Sequence, residues 1–243
     1  MNKLEHLTAF QSALTNYRLS ASAKQILHDT KLVLLTAATA SGRNTIINEL
    51  LKTDEYYFIV SDTTRQPRVN NGVPEQDGIE YWFRREEDVL ADVQAGSYLE
   101  AEVIHGQQVS GISTRELKKA TDEHKIAITD VDIGGAEGVA KLKPDTIAIL
   151  VLPPSFEEWQ RRIHSRGEMP SDEFRRRMET AARIFATGIE QDFLIPVIND
   201  KLEDAVADVH QLATTGNYDV SKKQLARGLL EELYSKTKKF LEQ

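Results

Sequence analysis

The stretch TAATASGRNT, residues 36–45, indicates the fold of this chain. It follows an apolar run at 32–35 and precedes apolar residues at 46, 47, 50 and 51, which have helical spacing. A strand, a turn and a helix in this order are the setting of a phosphate-binding loop, whose consensus is G-x-x-x-x-G-K-[ST]. The consensus is altered here, because it reads as Ala37 at the first glycine, followed by Gly42, Arg43 and Asn44.

The bulk composition excludes several classes of protein. A chain of 243 residues can bury a substantial core, and its 40% hydrophobic and 28% charged residues are ordinary for a globular protein. It has no cysteine, so disulfides and thiolate metal sites are excluded. A net charge of −8 without a basic block argues against nucleic-acid binding. The longest apolar run, at 147–152, is too short to span a membrane, and no signal-peptide pattern is present, so we expect a cytoplasmic protein.

Strand-like and helical segments alternate along most of the chain. The strand-like runs are rich in β-branched residues and lie at 57–60, 126–131, 146–152 and 194–198. Helical patterns such as 155–165 and 172–186 separate them. This alternation predicts an α/β fold, with a parallel sheet covered by helices on both faces.

Three further segments do not belong to that alternation. Residues 61–112 are rich in loops, glycine and proline, which predicts an inserted subdomain. Residues 1–29 have helical apolar spacing, and a helix after 217 places its leucines at 225, 229, 230 and 233 on one face. These terminal helices either cover the core or pair across a homodimer.

Two polar segments of the insertion suit a nucleotide. In SDTTRQPR, residues 61–68, Arg65 and Arg68 form a donor-rich fork for a phosphate, with a polar turn as the plain alternative. Tyr81 lies in IEYWF. Glu100 follows a short strand, where its carboxylate can accept two N–H bonds from a guanine edge or can simply be solvated.

Two later segments carry further charged groups. In KIAITDVDIGG, Asp130 and Asp132 end a strand, and alternation places both on one side of it, where a magnesium ion or a substrate is expected beside a phosphate loop. The alternative is a helix N-cap. In RRIHSRGEMPSDEFRRRM, Ser171 is a predicted N-cap, and Arg166 and Arg177 lie in a segment that can close over a triphosphate or form a charged surface helix.

The order of these motifs resembles the guanylate kinase family over residues 31–210. The motifs that carry the resemblance are the altered loop, S-x-T-T-R-x-P-R, E-Y-W-F, G-x-Y-L-E-A, D-V-D-I-x-G, L-P-P-S and V-I-N-D. The resemblance implies a three-layer P-loop NTPase fold with a parallel sheet, an inserted NMP-binding subdomain and a helical lid. It also implies ATP-dependent phosphorylation of GMP to GDP, with Mg²⁺ as the cofactor.

The resemblance also implies a domain organisation and roles for individual residues. We expect an N-terminal helical extension at 1–29, a kinase-like domain at 30–212 and a C-terminal amphipathic helix at 217–243. Within the domain, the NMP-binding insertion is about 61–113 and the lid about 164–180. The GMP-binding residues would be Ser61, Arg65, Arg68, Tyr81, Glu100, Ser113 and Asp132. The ATP-binding residues would be Ala37, Thr39, Ala40, Ser41, Gly42, Arg43, Asn44, Thr45 and Asn199. Catalysis would involve Arg43, Asp130, Arg166 and Arg177, with Asn44 and Asp130 as metal ligands.

Departures from the family pattern concentrate in the phosphate loop. Ala37 and Ala40 replace glycines, so the loop either carries the strain of a left-handed alanine, about 1–2 kcal/mol, or has another shape. Arg43 replaces a compact ammonium by a planar fork, and Asn44 replaces the metal-binding hydroxyl by an amide oxygen. Thr45 cannot take over that hydroxyl, because one step along a helix turns a side chain by about 100°.

Departures in the insertion bear on the acceptor. Residues 106–113 read GQQVSGIS where the family has G-N-x-Y-G-T-S, so a phosphate-gripping tyrosine is absent and Ser113 is the candidate substitute hydroxyl. Three hypotheses follow: a magnesium-dependent GMP kinase, a catalytically inactive module that binds a phosphorylated peptide, and a sensor that binds GMP without turnover.

Overall fold

The computed structural model describes residues 3–70, 72–165, 167 and 169–242. Within these residues, the helices are α1 (Leu7–Thr15), α2 (Ala21–Asp29), α3 (Arg43–Leu50), α4 (Glu86–Gln94), α5 (Thr114–Asp122), α6 (Ile133–Leu142), α7 (Phe156–His164), α8 (Ser171–Glu190), α9 (Leu202–Thr215) and α10 (Val220–Leu241). The strands are β1 (Leu32–Ala37), β2 (Tyr56–Phe58), β3 (Asp62–Thr63), β4 (Val69–Asn70), β5 (Val73–Pro74), β6 (Trp82–Phe83), β7 (Tyr98–Ile104), β8 (Gln108–Ser113), β9 (Ile126–Asp130), β10 (Ile147–Leu152) and β11 (Leu194–Ile198).

The central sheet has five strands in the order β11-β10-β1-β9-β2. The pairs β1/β10 and β10/β11 are parallel, with Leu34 opposite Ala148 and Leu150 opposite Pro196. Nearly every residue of β1 and β10 is buried, as expected for strands covered on both faces. This sheet with its helices confirms the predicted α/β fold.

The chain divides into two compact units. Unit one contains the described residues through Lys31 together with Tyr57–Ala127. Its second sheet has the order β6-β3-β8-β7, and β4 and β5 form a separate hairpin. Helix α1 packs on α4 and β7, and α2 packs on α5, so the predicted N-terminal extension belongs to the core of unit one. Phe10 of α1 is completely buried there.

Unit two contains Leu32–Tyr56 and the residues from Ile128 onward. Leu150 and Leu152 share one face of β10 and pack with Trp159 of α7, Phe185 of α8 and Leu230 of α10. Helix α10 also contacts β11, so the C-terminal helix covers the core of its own unit.

The structure corrects several expectations of detail. Within the described residues, the predicted N-terminal helical extension contains two helices, and Ser20 caps α2 by accepting a hydrogen bond from Ala23 N. Ser171 is the first residue of α8, and its N-cap is Pro170. Leu225 is 67% exposed, so the apolar face of α10 starts one turn later than the leucine spacing suggests. Among the described residues, no helix combines the length and the apolar character needed to cross a membrane.

Candidate functional site

The phosphate loop joins β1 to α3 and carries its strain at one alanine. Ala37 is the last residue of β1, whereas Ala40 has a φ of 62° and Gly42 a φ of 92°. Ala40 therefore occupies the left-handed region that glycine prefers, at a cost of about 1–2 kcal/mol. The loop keeps a glycine-like path at residue 40 and reaches the N-terminus of α3, where backbone N–H groups and the helix dipole favour an anion.

Two buried side chains hold the loop from behind. Trp159 Nε1 donates to Thr39 O at 2.7 Å, and Asn199 Nδ2 donates to Ser41 O at 2.8 Å. A Cβ on Gly42 would lie 2.0 Å from Asn199 Nδ2, so a glycine is needed here for close packing as well as for its φ. We expected Asn199 among the direct ATP contacts, but its buried amide is committed to the loop backbone.

Arg43 starts α3 and bonds two other predicted site residues. Its Nε donates to Asn44 Oδ1 at 3.0 Å, and its Nη2 donates to Asp130 Oδ2. The side chain of Arg43 is 24% exposed and that of Asp130 is 36% exposed. Solvent screens an ion pair at this depth, so its main effect is to fix the direction of the guanidinium rather than to stabilise the fold.

The two aspartates after β9 have separate positions. Asp130 ends the strand, whereas Asp132 lies beyond it and accepts a hydrogen bond from Gly135 N at 2.7 Å as the N-cap of α6. Strand alternation therefore does not relate them, which corrects our expectation that both lie on one side of the strand. Asp132 plays the capping role that was the alternative for this pair.

Helix α8 brings one predicted lid arginine to the loop. Arg177 Nη1 lies 3.5 Å from Thr39 Oγ1, and its Nε donates to Glu173 Oε1 at 2.9 Å. Hydrogen bonds from Arg177 and then Arg176 lower the pKa of Glu173, so it is an anion that orients both guanidinium groups. A cavity of about 220 Å³ is lined by Thr39 and by this face of α8. It is smaller than the ~300 Å³ of a typical ligand pocket, and suits part of a nucleotide. Arg166, the other lid arginine, lies outside the described residues.

In unit one, Arg65 is held by a carboxylate and two aromatic rings. Its Nη2 donates to Glu75 Oε1 at 2.9 Å, Nη1 donates to Glu75 Oε2, and both side chains are only 7% exposed. The guanidinium carbon lies 4.8 Å from the ring centroid of Tyr81 and 5.6 Å from that of Phe83. Hydrogen bonding to Glu75 raises the pKa of Arg65 further, so this arginine is a permanent cation in a fixed orientation.

The second arginine of that motif is connected to the same carboxylate. The backbone N of Arg68 donates to Glu75 Oε2 at 2.8 Å, while its side chain is exposed. Arg65 and the backbone of Arg68 thus meet at Glu75, and the ring of Tyr81 lies against Arg65. The backbone of Ser61 accepts a hydrogen bond from Trp82 N, which ties the start of this segment to β6.

Glu100 and Ser113 lie on paired strands of unit one. Glu100 is half-buried inside β7, opposite Ile112 of β8, rather than after the end of a strand as we expected. Ser113 is 2% exposed, and its Oγ accepts a hydrogen bond from Arg115 N as the N-cap of α5. Its hydroxyl therefore has a structural partner, which leaves less scope for the substitute role we predicted.

Sequence reasoning missed the residues that orient these groups. Glu75 lies in the lengthened segment between Arg68 and Tyr81, where its only signal is a single carboxylate near two arginines. Trp159 and Glu173 lie on helices whose apolar and charged spacing explains them equally well as core and surface residues. Their partners are distant in sequence or shared with other charges, so spacing alone does not reveal them.

The predicted metal ligands do not fit an ion held by the protein. Asn44 Oδ1 and Asp130 Oδ2 both accept hydrogen bonds from Arg43. A magnesium ion at its usual ligand distance of about 2.0–2.1 Å from these oxygens would lie close to a guanidinium of the same charge sign. These two oxygens are therefore already bonded to a cation that belongs to the chain.

Comparisons with known proteins identify the family. The guanylate kinase family model matches residues 29–215. The chain is 34% identical over 184 residues to a guanylate kinase of Corynebacterium diphtheriae, and the alignment covers 75% of this chain and 93% of that protein. It is 36% identical over 192 residues to a guanylate kinase of Bifidobacterium longum, and this alignment covers 75% of this chain and 92% of that protein. The crystal structure of guanylate kinase from Anaplasma phagocytophilum has the same fold, with a TM-score of 0.54 at 22% identity over 82% of this chain and 93% of that one. The chain belongs to the guanylate kinase family.

Proposed function

We propose that this chain is an ATP-dependent GMP kinase, which transfers the terminal phosphoryl group of ATP to GMP and releases GDP and ADP. The observation that carries this proposal is the loop after β1. It presents the N-terminus of α3 together with Arg43, and Arg177 lies beside its Thr39. Backbone N–H groups and fixed guanidinium groups are what phosphoryl transfer requires, because that reaction depends on positioning and charge stabilisation.

The donor residues act on the phosphates of ATP. The backbone of residues 39–42 binds phosphate oxygens, and Arg43 extends the positive field beyond the helix N-terminus. Arg177 approaches from α8 and neutralises charge on the transferring group, with the predicted help of Arg166. Trp159 and Asn199 keep the loop carbonyls turned away from the phosphates, because both donate to those carbonyls.

The acceptor residues bind GMP in unit one. Arg65, Arg68 and Tyr81 hold the GMP phosphate, with Arg65 already fixed by Glu75 and the aromatic rings. Ser61 and Glu100 read the guanine edge. The half-buried position of Glu100 supports this assignment, since a partly desolvated carboxylate makes stronger hydrogen bonds than a solvated one.

A divalent metal ion accompanies ATP in this family, and we propose Mg²⁺. When bound, the ion neutralises charge on the β- and γ-phosphates. Residues of this chain contribute to that task through Arg43 and Arg177. The proposed location is the cytoplasm, where both nucleotides are available. A homodimer through the terminal helices stays a prediction, although the apolar faces of α1 and α10 are filled within their own units.

The peptide-binding and sensor alternatives are not favoured. The two bacterial relatives compared above are both guanylate kinases, and the chain spans more than nine-tenths of each. A module that binds a phosphorylated peptide would also have no use for an arginine placed against the phosphate loop.

The test is a coupled assay of ADP release with ATP, GMP and Mg²⁺. We expect release that depends on GMP and that is much weaker with AMP. Glu100→Gln should raise the KM for GMP by about 10-fold or more, because the amide presents one donor to a guanine N–H, and should leave the KM for ATP unchanged. ADP release that is absent with GMP, from protein that binds GMP in calorimetry, would favour the sensor instead.

A further inference from the structure

The altered residues of the phosphate loop make direct contacts with one another. Arg43 uses Nε to bond Asn44 Oδ1 at 3.0 Å and Nη2 to bond Asp130 Oδ2. Arg43 replaces the lysine of the consensus, and Asn44 replaces its metal-binding hydroxyl. A lysine ammonium is a point charge without a planar edge, and a serine side chain lacks the amide oxygen that Nε–H reaches here.

The contacts use one edge of the guanidinium and leave the other available. A guanidinium has five N–H donors in a rigid plane, and Nε with one N–H of Nη2 forms its side edge. Asn44 and Asp130 take that edge. Within the described part of the chain, Nη1 has no hydrogen-bond partner. Of the remaining three N–H groups, one on Nη1 and one on Nη2 lie in parallel at the end of the guanidinium, which matches two oxygens of a phosphate.

We propose that Asn44 and Asp130 are positioning residues that aim Arg43, and that the three side chains together form a metal-independent phosphate clamp for ATP. This inference rests on the proposed function and deepens it, since it concerns the donor site of the same reaction. It assigns Asn44 and Asp130 a task other than metal ligation. It also makes the two substitutions at 43 and 44 a coupled pair, in which each is useful only with the other.

The clamp has a consequence for binding without metal. In a loop whose oxygens ligate the ion, removal of the metal leaves phosphates facing uncompensated carboxylate charge. Here the charge of Asp130 is balanced by Arg43, so a metal-free nucleotide meets no uncompensated carboxylate and still meets the positive N-terminus of α3. Nucleotide affinity should therefore depend little on the metal.

The experiment is calorimetric titration of the full chain with a non-hydrolysable ATP analogue, in Mg²⁺ and in EDTA. For the unaltered chain, we expect the Kd in EDTA to lie within about 3-fold of the Kd in Mg²⁺. Asn44→Ser should weaken binding in EDTA by about 5- to 10-fold, because Arg43 loses a hydrogen bond that orients its charge. Asn48→Ser is the matched control, since Asn48 is an exposed residue one turn further along α3 and should bind as the unaltered chain does.

The Asp130→Asn variant distinguishes a positioning role of Asp130 from a purely electrostatic effect of its charge on the phosphates. If Asp130 were only a neighbouring anion, removing its charge would tighten metal-free binding of the analogue, because phosphate and carboxylate repel. If it aims Arg43, the same change weakens binding, which is the result we expect. Asn44 and Asp130 are at least partly exposed, so neither variant disturbs the core.

The coupling is tested by restoring the consensus. Arg43→Lys should lower kcat/KM for ATP by about 10- to 100-fold, which corresponds to the loss of charge-assisted hydrogen bonds. Arg43→Lys combined with Asn44→Ser should recover at least part of that loss and acquire a dependence on Mg²⁺ in the binding titration. Additive losses in the double variant, or tighter EDTA binding by Asp130→Asn, would overturn the proposal. A chain without kinase activity that still shows the binding pattern would overturn the proposed function and leave this inference standing.

Discussion

The contact between Gly42 and Asn199 allows a prediction whose size follows from the geometry. A Cβ at residue 42 would lie 2.0 Å from Asn199 Nδ2, and the φ of 92° is left-handed. In Gly42→Ala, the φ costs about 1–2 kcal/mol. Displacing Asn199 breaks its bond to Ser41 O and leaves a buried polar group unpaired, which costs a further ~1–3 kcal/mol. The expected loss of unfolding free energy is therefore about 2–5 kcal/mol.

A double-mutant cycle isolates the second of these costs. Asn199→Ala alone already breaks the bond to Ser41, so adding it to Gly42→Ala removes the clash and costs nothing new. The two single losses should then exceed the double loss by about 1–3 kcal/mol. Gly216→Ala is the matched control, because Gly216 has a φ of 70° and nothing within 4 Å of its Cβ position. It should show only the φ cost of about 1–2 kcal/mol.

The assay is urea unfolding followed by tryptophan fluorescence. The chain has two tryptophans, and Trp82→Phe leaves Trp159, whose Nε1 bonds the phosphate loop, as the reporter. Losses that add within about 0.5 kcal/mol would show that Gly42 and Asn199 are energetically independent and that the steric argument is wrong. Equal losses for Gly42→Ala and Gly216→Ala would show that backbone strain alone explains the loss of unfolding free energy in Gly42→Ala.

Two further predictions concern unit one. Glu75→Gln should lower the unfolding free energy by about 3 kcal/mol and raise the KM for GMP, because Arg65 loses the charged partner of a buried pair. Urea unfolding and GMP titration measure this, and Glu80→Gln, at an exposed residue of the same segment, should change stability by under about 0.5 kcal/mol. Burial and the neighbouring Asp62 raise the pKa of Tyr98 above its ordinary value, so the folded chain keeps a proton that the unfolded chain loses above about pH 10. The free energy of unfolding is unaffected below that pH and falls above it. Tyr98→Phe should reduce this fall by about 1.4 kcal/mol per pH unit. An unchanged slope of unfolding free energy against pH between about pH 10 and 11.5 would contradict the assignment.

The order of the polar motifs, together with the apolar runs between them, was sufficient to predict the fold. The apolar runs at 146–152 and 194–198 correspond closely to Ile147–Leu152 and Leu194–Ile198. Such runs are predictable because a parallel strand is buried on both faces, and few alternatives bury that much apolar surface. The phosphate loop was equally predictable from the sequence, since Gly42 must provide a left-handed φ where α3 begins.

Other features depended on contacts between residues far apart in the chain. The roles of Asp132 and Ser113 as caps, and of Asn199 as a support for the loop, follow from hydrogen bonds that spacing does not specify. The same holds for Glu75, which becomes a partner of Arg65 only when the lengthened segment folds back on itself. A polar side chain has several ways to satisfy its hydrogen bonds, and only packing selects one.

The sequence by itself thus determined the α/β fold, the family and the positions of the arginines, because these depend on burial periodicity and on residue types at fixed spacing. The tertiary structure decided what those residues touch. It placed Ala40 in a strained conformation and turned the guanidinium of Arg43 onto Asn44 and Asp130. The physical reason is that a side chain's charge is encoded at its own position, whereas the direction of that charge is set by partners brought together only by folding.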